Sequence, residues 1–324
     1  MTDILSTNVL HPQVAEKLRT LGSLRFASAY DPDTLLAEGR DADLIIVRAP
    51  LPAALFEQAP RLRAAIRHGA GLDMIPMAAA TKAGVIVANT PGANARTVAE
   101  YVFFAAMTLL RRFRLVDRDL RADGWNAARR HADLTRDLDG LTLGIVGFGN
   151  IGRQVHAIAR HGYGLDVLIH SRSRRDVPED AEFVGLDDLA ARCDVMVLCC
   201  PLTEETRGLV GARVLGRMKP DALVINISRG PVIDDDAMLA ALREGRIGGA
   251  ALDVFDRQPL PDGHPYLGFD NVVVTPHMSG ITEGSMRRMG MAAAEEAARV
   301  LRGDLPENLC NPEALPAYRR RFPS

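Results

Sequence analysis

Short runs of apolar and β-branched residues recur along the chain, at Leu44–Val47, Val85–Ala88, Leu143–Val146, Asp166–Ile169, Val195–Leu198, Leu223–Ile227, Ala250–Val254 and Val272–Val274, with helical patterns between them. Strands alternating with helices predict parallel sheets joined by crossover helices. So many runs exceed the needs of one compact sheet, and a glycine-rich fingerprint begins only at residue 147, so the first third is expected to form an α/β layer of its own. From Asn94 to about Asp123, the apolar residues Val102, Ala105, Ala106, Leu109, Leu110 and Phe113 recur at helical spacing, which predicts one long amphipathic helix. Thr97 and Glu100 have the spacing of a capping box, and Asn94 is an equally good cap. A second helix is expected from about Thr282 to Arg302, returning the chain to the first domain. The tail NPEALPAYRRRFPS, Pro-rich and basic, reads as a solvated end.

Composition narrows the function classes. With 324 residues, 47% hydrophobic and 25% charged, the chain reads as a globular protein of one large or two medium domains. A formal net charge of -2 argues against a nucleic-acid binder, which needs a basic excess to neutralise phosphates. The N-terminal residues MTDILSTNVLHPQ lack the basic and apolar regions of a signal peptide. The longest apolar stretch, near Tyr101 to Leu110, falls short of a membrane span, so a cytoplasmic location is expected. Cys193, Cys199, Cys200 and Cys310 have neither CxxC spacing nor histidine partners at zinc-finger distances, so reduced thiols are expected and no metal site.

The segment LTLGIVGFGNIGRQV carries candidate chemistry. A buried strand leads into Gly147, Gly149 and Gly152 in G-x-G-x-x-G spacing, and a helix follows. In that setting the first glycine permits a tight turn, the second lets the backbone approach a pyrophosphate, and the third packs helix against strand. Unpaired amides at the helix start favour the phosphates. An NAD-preferring site places a carboxylate about 20 residues on. Here the second strand ends in Ser171, Arg172, Ser173, Arg174 and Arg175, whose hydroxyls and guanidinium groups suit a 2′-phosphate, so NADP is the preferred cofactor. Asp176 is near enough that a shifted turn presents an acid, which keeps NAD as the alternative.

Seven segments taken together resemble the D-isomer-specific 2-hydroxyacid dehydrogenases: HGAGLDMI (68–75), NTPGANARTVAE (89–100), GFGNIG (147–152), PLTEETRGL (201–209), INISRG (225–230), ALDVF (251–255) and TPHMSG (275–280). The resemblance covers nearly the whole chain. It implies an α/β protein of two flavodoxin-like or Rossmann-like domains with doubly wound parallel sheets and an active site in the interdomain cleft. The substrate domain is expected at 1–98 plus 281–324 and the dinucleotide-binding domain at 99–280, in a homodimer. The implied reaction moves a hydride between NADP(H) and a small 2-keto or 2-hydroxy acid similar to glyoxylate or hydroxypyruvate.

Carried over by position, Arg229 resembles the guanidinium that holds the substrate carboxylate and polarises its keto oxygen. Ala70 and Gly71 would add backbone amides, and Arg48 a second contact. His277 resembles the acid/base, a role suited to imidazole because it titrates near neutrality. Asp253 resembles the residue that meets the nicotinamide carboxamide. Phe148, Asn150 and Ile151 accompany the three glycines in the cofactor set, as do Thr97, Cys200, Pro201, Thr206, Ile227, Ser279 and Gly280. Two positions depart from the family pattern. Cys199 stands where most members have histidine, and Gln258 stands where the glutamate partner of the catalytic histidine is usual. Glutamine can orient the imidazole but cannot charge-stabilise its protonated form. That departure leaves two alternatives open: a dinucleotide-sensing binding protein, and a formate-type dehydrogenase that transfers hydride without a proton.

Overall fold

The computed structural model describes residues 2–174 and 176–323; Arg175 of the basic run lies outside them. The chain divides into two compact units, Met1–Asn94 with Ile281–Ser324, and Ala95–Gly280.

In chain order, the first unit contains β1 (Asp3–Ser6), α1 (Pro12–Arg19), β2 (Ser23–Phe26), α2 (Pro32–Gly39), β3 (Leu44–Val47), α3 (Ala54–Gln58), β4 (Ala64–Arg67), α4 (Met77–Lys82) and β5 (Ile86–Ala88). The second unit runs through α5 (Ala95–Leu110), α6 (Phe113–Asp123), α7 (Trp125–Arg129), β6 (Thr142–Val146), α8 (Asn150–Tyr163), β7 (Asp166–His170), β8 (Glu182–Phe183), α9 (Leu186–Arg192) and β9 (Val195–Leu198). It continues through α10 (Ala212–Leu215), β10 (Leu223–Asn226), α11 (Asp235–Arg243), β11 (Gly249–Leu252) and β12 (Val272–Val274). The chain then returns to the first unit with α12 (Glu283–Leu301) and α13 (Leu315–Arg321).

Both sheets are wholly parallel, with strand orders β2-β1-β3-β4-β5 and β12-β11-β10-β9-β6-β7-β8. The first is the flavodoxin-like order and the second a Rossmann order with an added strand. Helices cover both faces of a parallel sheet, so its strands are buried on both sides and apolar throughout. LIIV in β3, VMVL in β9 and LVIN in β10 are buried at every position. Each unit accordingly has two apolar layers, with Ile46 and Ile66 in one and Ile45 and Val47 in the other for the first sheet. Met196 and Leu198 against Val195 and Val197 do the same in the second. Local signals set the helix starts: Asp31 caps α2 through the Thr34 amide, and Thr282 with Ser285 closes a capping box on α12. Among the described residues no helix is long and apolar enough to cross a membrane.

Two expectations are corrected. The helix predicted from Asn94 to Asp123 is two helices, because Arg112 adopts a left-handed backbone with φ 48° and ends the first ladder. The Leu110 carbonyl is taken by the Arg136 amide, and Phe113, counted on the buried face, is 60% exposed. Glu100 pairs with Arg96 at 3.1 Å. The C-terminal tail is docked rather than solvated. Ala314 and Tyr318 are buried, Arg321 donates to the carbonyls of Ala59, Pro60 and Ala83, and a side chain at Gly84 would strike Ala317.

Candidate active site

In an open α/β sheet, ligands bind beyond the carboxyl ends of the strands where the strand order reverses. In the second unit that point lies between β6 and β9, and the glycine fingerprint sits there. The Gly147 amide reaches the His170 carbonyl at 2.7 Å, and φ is 96°, open to glycine but not to a side chain. A Cβ on Gly147 would stand 2.6 Å from the Cys200 amide nitrogen, so Cys200 and Pro201 after β9 lie against the turn. One on Gly152 would collide with the Gly147 carbonyl, which is the close packing the third position serves. A Cβ on Gly149 would meet nothing within 4 Å. The second glycine therefore faces open space, as an approaching pyrophosphate requires. No side chain caps α8 at Gly149, so the Asn150, Ile151 and Gly152 amides face out without an acceptor among the described residues. These residues fit a dinucleotide.

Past β7, Ser171 donates to the Ser173 carbonyl at 2.7 Å and closes a small turn that leaves Arg172 exposed. Arg172 has no ion-pair partner among the described residues. The Asp176 carboxylate lies 3.4 Å from Arg153 on α8, and the Asp176 carbonyl accepts from the same guanidinium at 3.3 Å. The Thr206 hydroxyl donates to the Pro201 carbonyl and accepts from the Thr203 amide, both at 2.7 Å, tying down the loop after β9. Ile227 is buried just after β10, and Thr97 is buried on α5. Burial pushes the Cys200 thiol up to about 11, which keeps it protonated and unreactive.

The ends of β10, β11 and β12 assemble the remaining candidates. Asp253 is 0% exposed, and its carboxylate accepts from the Thr275 hydroxyl at 2.6 Å and from the amides of Met278 and Ser279 at 2.8 and 2.9 Å. The Tyr101 hydroxyl on α5 is 2.6 Å from Thr275 Oγ1. Since the Thr275 proton goes to Asp253, tyrosine is the donor in that pair, and the chain of bonds runs one way. Burial raises the Tyr101 phenol to about 12, so it keeps that proton. His277 occupies a left-handed backbone, φ 53°, and its amide donates to the carbonyls of Asp253 and Thr275. Such a conformation is costly for a residue other than glycine and persists where its surroundings impose it. Asp253 imposes it here.

The His277 ring is 2.9 Å from Gln258 through Nδ1 and Oε1. The other end of the amide, Gln258 Nε2, donates to the Phe255 carbonyl at 3.2 Å. This bond orients the amide with its oxygen toward the ring, so Nδ1 carries the proton that Gln258 accepts. Arg229 belongs to the same edge. A Cβ on the following residue, Gly230, would collide with the Phe255 and Asp256 backbone, so the arginine-bearing turn lies directly on the strand end that leads to Gln258. The Arg229 guanidinium donates to the Ser228 carbonyl at 2.7 Å, and Asn226 holds the turn through the Arg229 carbonyl. A cavity of about 1050 Å³ lies among Thr142, Asp166, Glu182 and Lys219, and of the candidate residues only Arg174 of the basic run lines it.

In the first unit, Arg48, Ala70 and Gly71 follow β3 and β4. Arg48 is half-buried, and its guanidinium bonds the Val9 carbonyl with no carboxylate in reach among the described residues. His68 is buried and bonds the Met286 carbonyl of α12 at 3.1 Å. Burial, reinforced by the charges of Arg48 and Arg67, lowers it to about 4, so this histidine is neutral. Arg67, Tyr101 and Thr275 are not among the site residues expected from the sequence. Thr275 opens the segment TPHMSG, but Arg67 and Tyr101 are single polar residues with no spacing that marks them.

Residues 103–279 match the family model described as D-isomer specific 2-hydroxyacid dehydrogenase, NAD binding domain. The chain is 36% identical to a glyoxylate reductase of Aeropyrum pernix over 96% of both chains. It is 39% identical to a glyoxylate reductase of Korarchaeum cryptofilum over 85% of this chain and 84% of that one. An NADPH-dependent glyoxylate/hydroxypyruvate reductase of Sinorhizobium meliloti, solved with NADP and malonate, superposes with a TM-score of 0.84 at 27% identity, covering 97% of each chain.

Proposed function

This chain belongs to the D-isomer-specific 2-hydroxyacid dehydrogenases, and from that premise we propose that it reduces a short 2-keto acid of the glyoxylate or hydroxypyruvate kind, with NADPH as preferred donor. The observation that carries the reading is the His277–Gln258 pair, in which the glutamine amide fixes the imidazole through Nδ1, on the strand edge that also bears Arg229.

When bound, the nicotinamide supplies the hydride in reduction and accepts it in oxidation. Arg229 holds the substrate carboxylate in a charge-assisted, bidentate grip, and its positive charge polarises the neighbouring keto oxygen. Nε2 of His277 gives its proton to that oxygen as carbon 2 is reduced and takes it back in the reverse direction. Gln258 fixes the ring throughout by accepting from Nδ1. Ala70 and Gly71 offer amides to the carboxylate, and Arg48, a half-buried cation without an acid partner, is suited to an anionic or strongly polar group on the substrate. Asp253 acts on the backbone of 275–279, with Ser279 and Gly280 completing that turn.

The engagement of Asp176 by Arg153 supports NADP(H), because it draws the nearest acid away while Arg172 remains exposed to a 2′-phosphate. A homodimer is supported by the exposed apolar residues Phe104 and Met107 on α5, Phe113 and Leu120 on α6, and Trp125 on α7, the last 71% exposed. Free thiols at all four cysteines suit a reducing cytoplasm.

Following NADPH absorbance with glyoxylate and hydroxypyruvate tests the reading. Arg229→Lys is expected to raise the KM for the keto acid sharply, and His277→Asn to lower kcat by about 100-fold or more. A His277→Asn enzyme with unaltered kcat removes the acid/base role. Gln258 favours one second reading, formate oxidation, which an absorbance rise with formate and NAD would support.

A further inference from the structure

We infer that Arg67 is a positioning residue that shapes a backbone anion site at residues 70–72, and that it sets the affinity of the enzyme for its carboxylate substrate. This rests on the proposed assignment of the Gly69–Gly71 loop to the substrate carboxylate.

Four consecutive carbonyl groups in this loop are all tied inward. The Arg67 guanidinium donates to the His68 carbonyl at 2.8 Å and to the Gly71 carbonyl at 3.0 Å, and it anchors itself on the Val47 carbonyl of β3 at 2.9 Å. The Gly69 carbonyl accepts from the Thr90 amide at 3.0 Å, and the Ala70 carbonyl from the Asn89 side chain at 2.7 Å. The Gly69 amide is itself consumed, by Thr90 Oγ1 at 2.9 Å and the Arg67 carbonyl at 3.0 Å. Gly69 has φ 141°, which lets the chain double back over the arginine. The amides of Ala70, Gly71 and Leu72 are different. None has an acceptor among the described residues.

A peptide whose carbonyl is captured on one side presents its N–H on the other. A run of such amides forms a concave site for an anion. Arg67 supplies the capture at Gly71, which turns out the Leu72 amide, pins the base of the loop through the His68 carbonyl and places a full positive charge behind it, and charge-assisted bonds hold more firmly than neutral ones. Lysine cannot reproduce this, since one ammonium cannot span the carbonyls of residues 47, 68 and 71 in a planar fork. Arg67 thus acts through the loop rather than by touching substrate. Its loss should weaken binding of the acid and leave the proton and hydride steps in place.

The test compares Arg67→Met and Arg67→Lys with wild type, using glyoxylate as substrate and malonate as a non-reducible inhibitor. The expected result is a rise of about tenfold or more in the KM for glyoxylate and in the Ki for malonate, with kcat and the KM for NADPH within about twofold. Guanidinium ion at millimolar concentration should lower the KM of Arg67→Ala again, which a general loosening of the fold would not allow. If Arg67→Met lacks a cooperative unfolding transition, Arg67→Lys and Asn89→Ala, which releases the Ala70 carbonyl, decide. Unchanged KM and Ki in the folded variants overturn the inference, as does a fall in kcat at constant KM. Failure of the wild type to turn over any 2-keto acid would instead overturn the functional reading.

Discussion

Replacing Gln258 with glutamate should move the pH range in which the enzyme reduces keto acids. The amide oxygen of Gln258 lies 2.9 Å from His277 Nδ1, so a carboxylate in that place puts a negative charge about 4 Å from the centre of the imidazolium. Two unit charges at that separation attract by about 4 kcal/mol at an effective dielectric of about 20, and by about 1 kcal/mol in bulk water. Both residues are exposed, which places the pair between these limits. At about 1.4 kcal/mol per pKa unit, the imidazolium of Gln258→Glu gains roughly one to three units over wild type. Reduction needs the imidazolium, because Nε2 must carry a proton to donate. On the alkaline side of the profile each added unit multiplies the competent fraction by about ten. The assay is kcat/KM for glyoxylate from pH 5 to 9, with NADPH binding measured separately by fluorescence. The descending limb should move upward by at least one unit in Gln258→Glu, and oxidation of the hydroxy acid should need higher pH than in wild type. A limb that stays put while the variant binds NADPH normally refutes the assignment of Nε2 as proton donor.

Other expectations follow from the same structure. Arg172→Ser should raise the KM for NADPH by about tenfold and leave that for NADH unchanged, as steady-state kinetics with each cofactor would reveal; equal effects on both would remove the 2′-phosphate assignment. In Asp253→Asn an amide NH2 must face a donor among the Thr275 hydroxyl and the Met278 and Ser279 amides, costing about 1–3 kcal/mol in urea unfolding and lowering kcat as the left-handed His277 backbone relaxes. His68, lowered to about 4 by burial and the nearby arginines, titrates at its ordinary value once unfolded. The unfolded chain then binds more protons, so stability is fully present above about pH 6.5 and is lost as pH falls toward 4, by roughly 3 kcal/mol in all. Unfolding curves of His68→Gln across that range should be flatter than those of wild type.

Regular elements were legible where their residues carry one unambiguous period. Short β-branched runs such as LIIV and VMVL read as strands, and their alternation with helices implied parallel order with both faces buried. The helix break at Arg112 left no such trace, since an arginine in the left-handed region looks in sequence like any other arginine. The docked tail was misread for a related reason. Its basic residues bind carbonyls of distant segments, as Arg321 does at residues 59, 60 and 83, and composition says nothing about those partners.

The candidate site divides along the same line. Glycine in a fingerprint announces that space is needed, but not whether the space is for the fold or for a ligand. Gly152 and Gly230 are held by neighbouring backbone, whereas Gly149 opens onto nothing. The charged residues are less legible. In the structure Asp253 gathers the Thr275 hydroxyl and two N–H groups around His277, and Arg67 gathers carbonyls beneath Ala70. Each unit leaves amides without protein acceptors among the described residues, at the start of α8 and at residues 70–72, and main-chain amides have no signature in a list of side chains. The sequence displays the glycines that make room for such sites, while the ionised side chains that aim them become visible only through the atoms they hold.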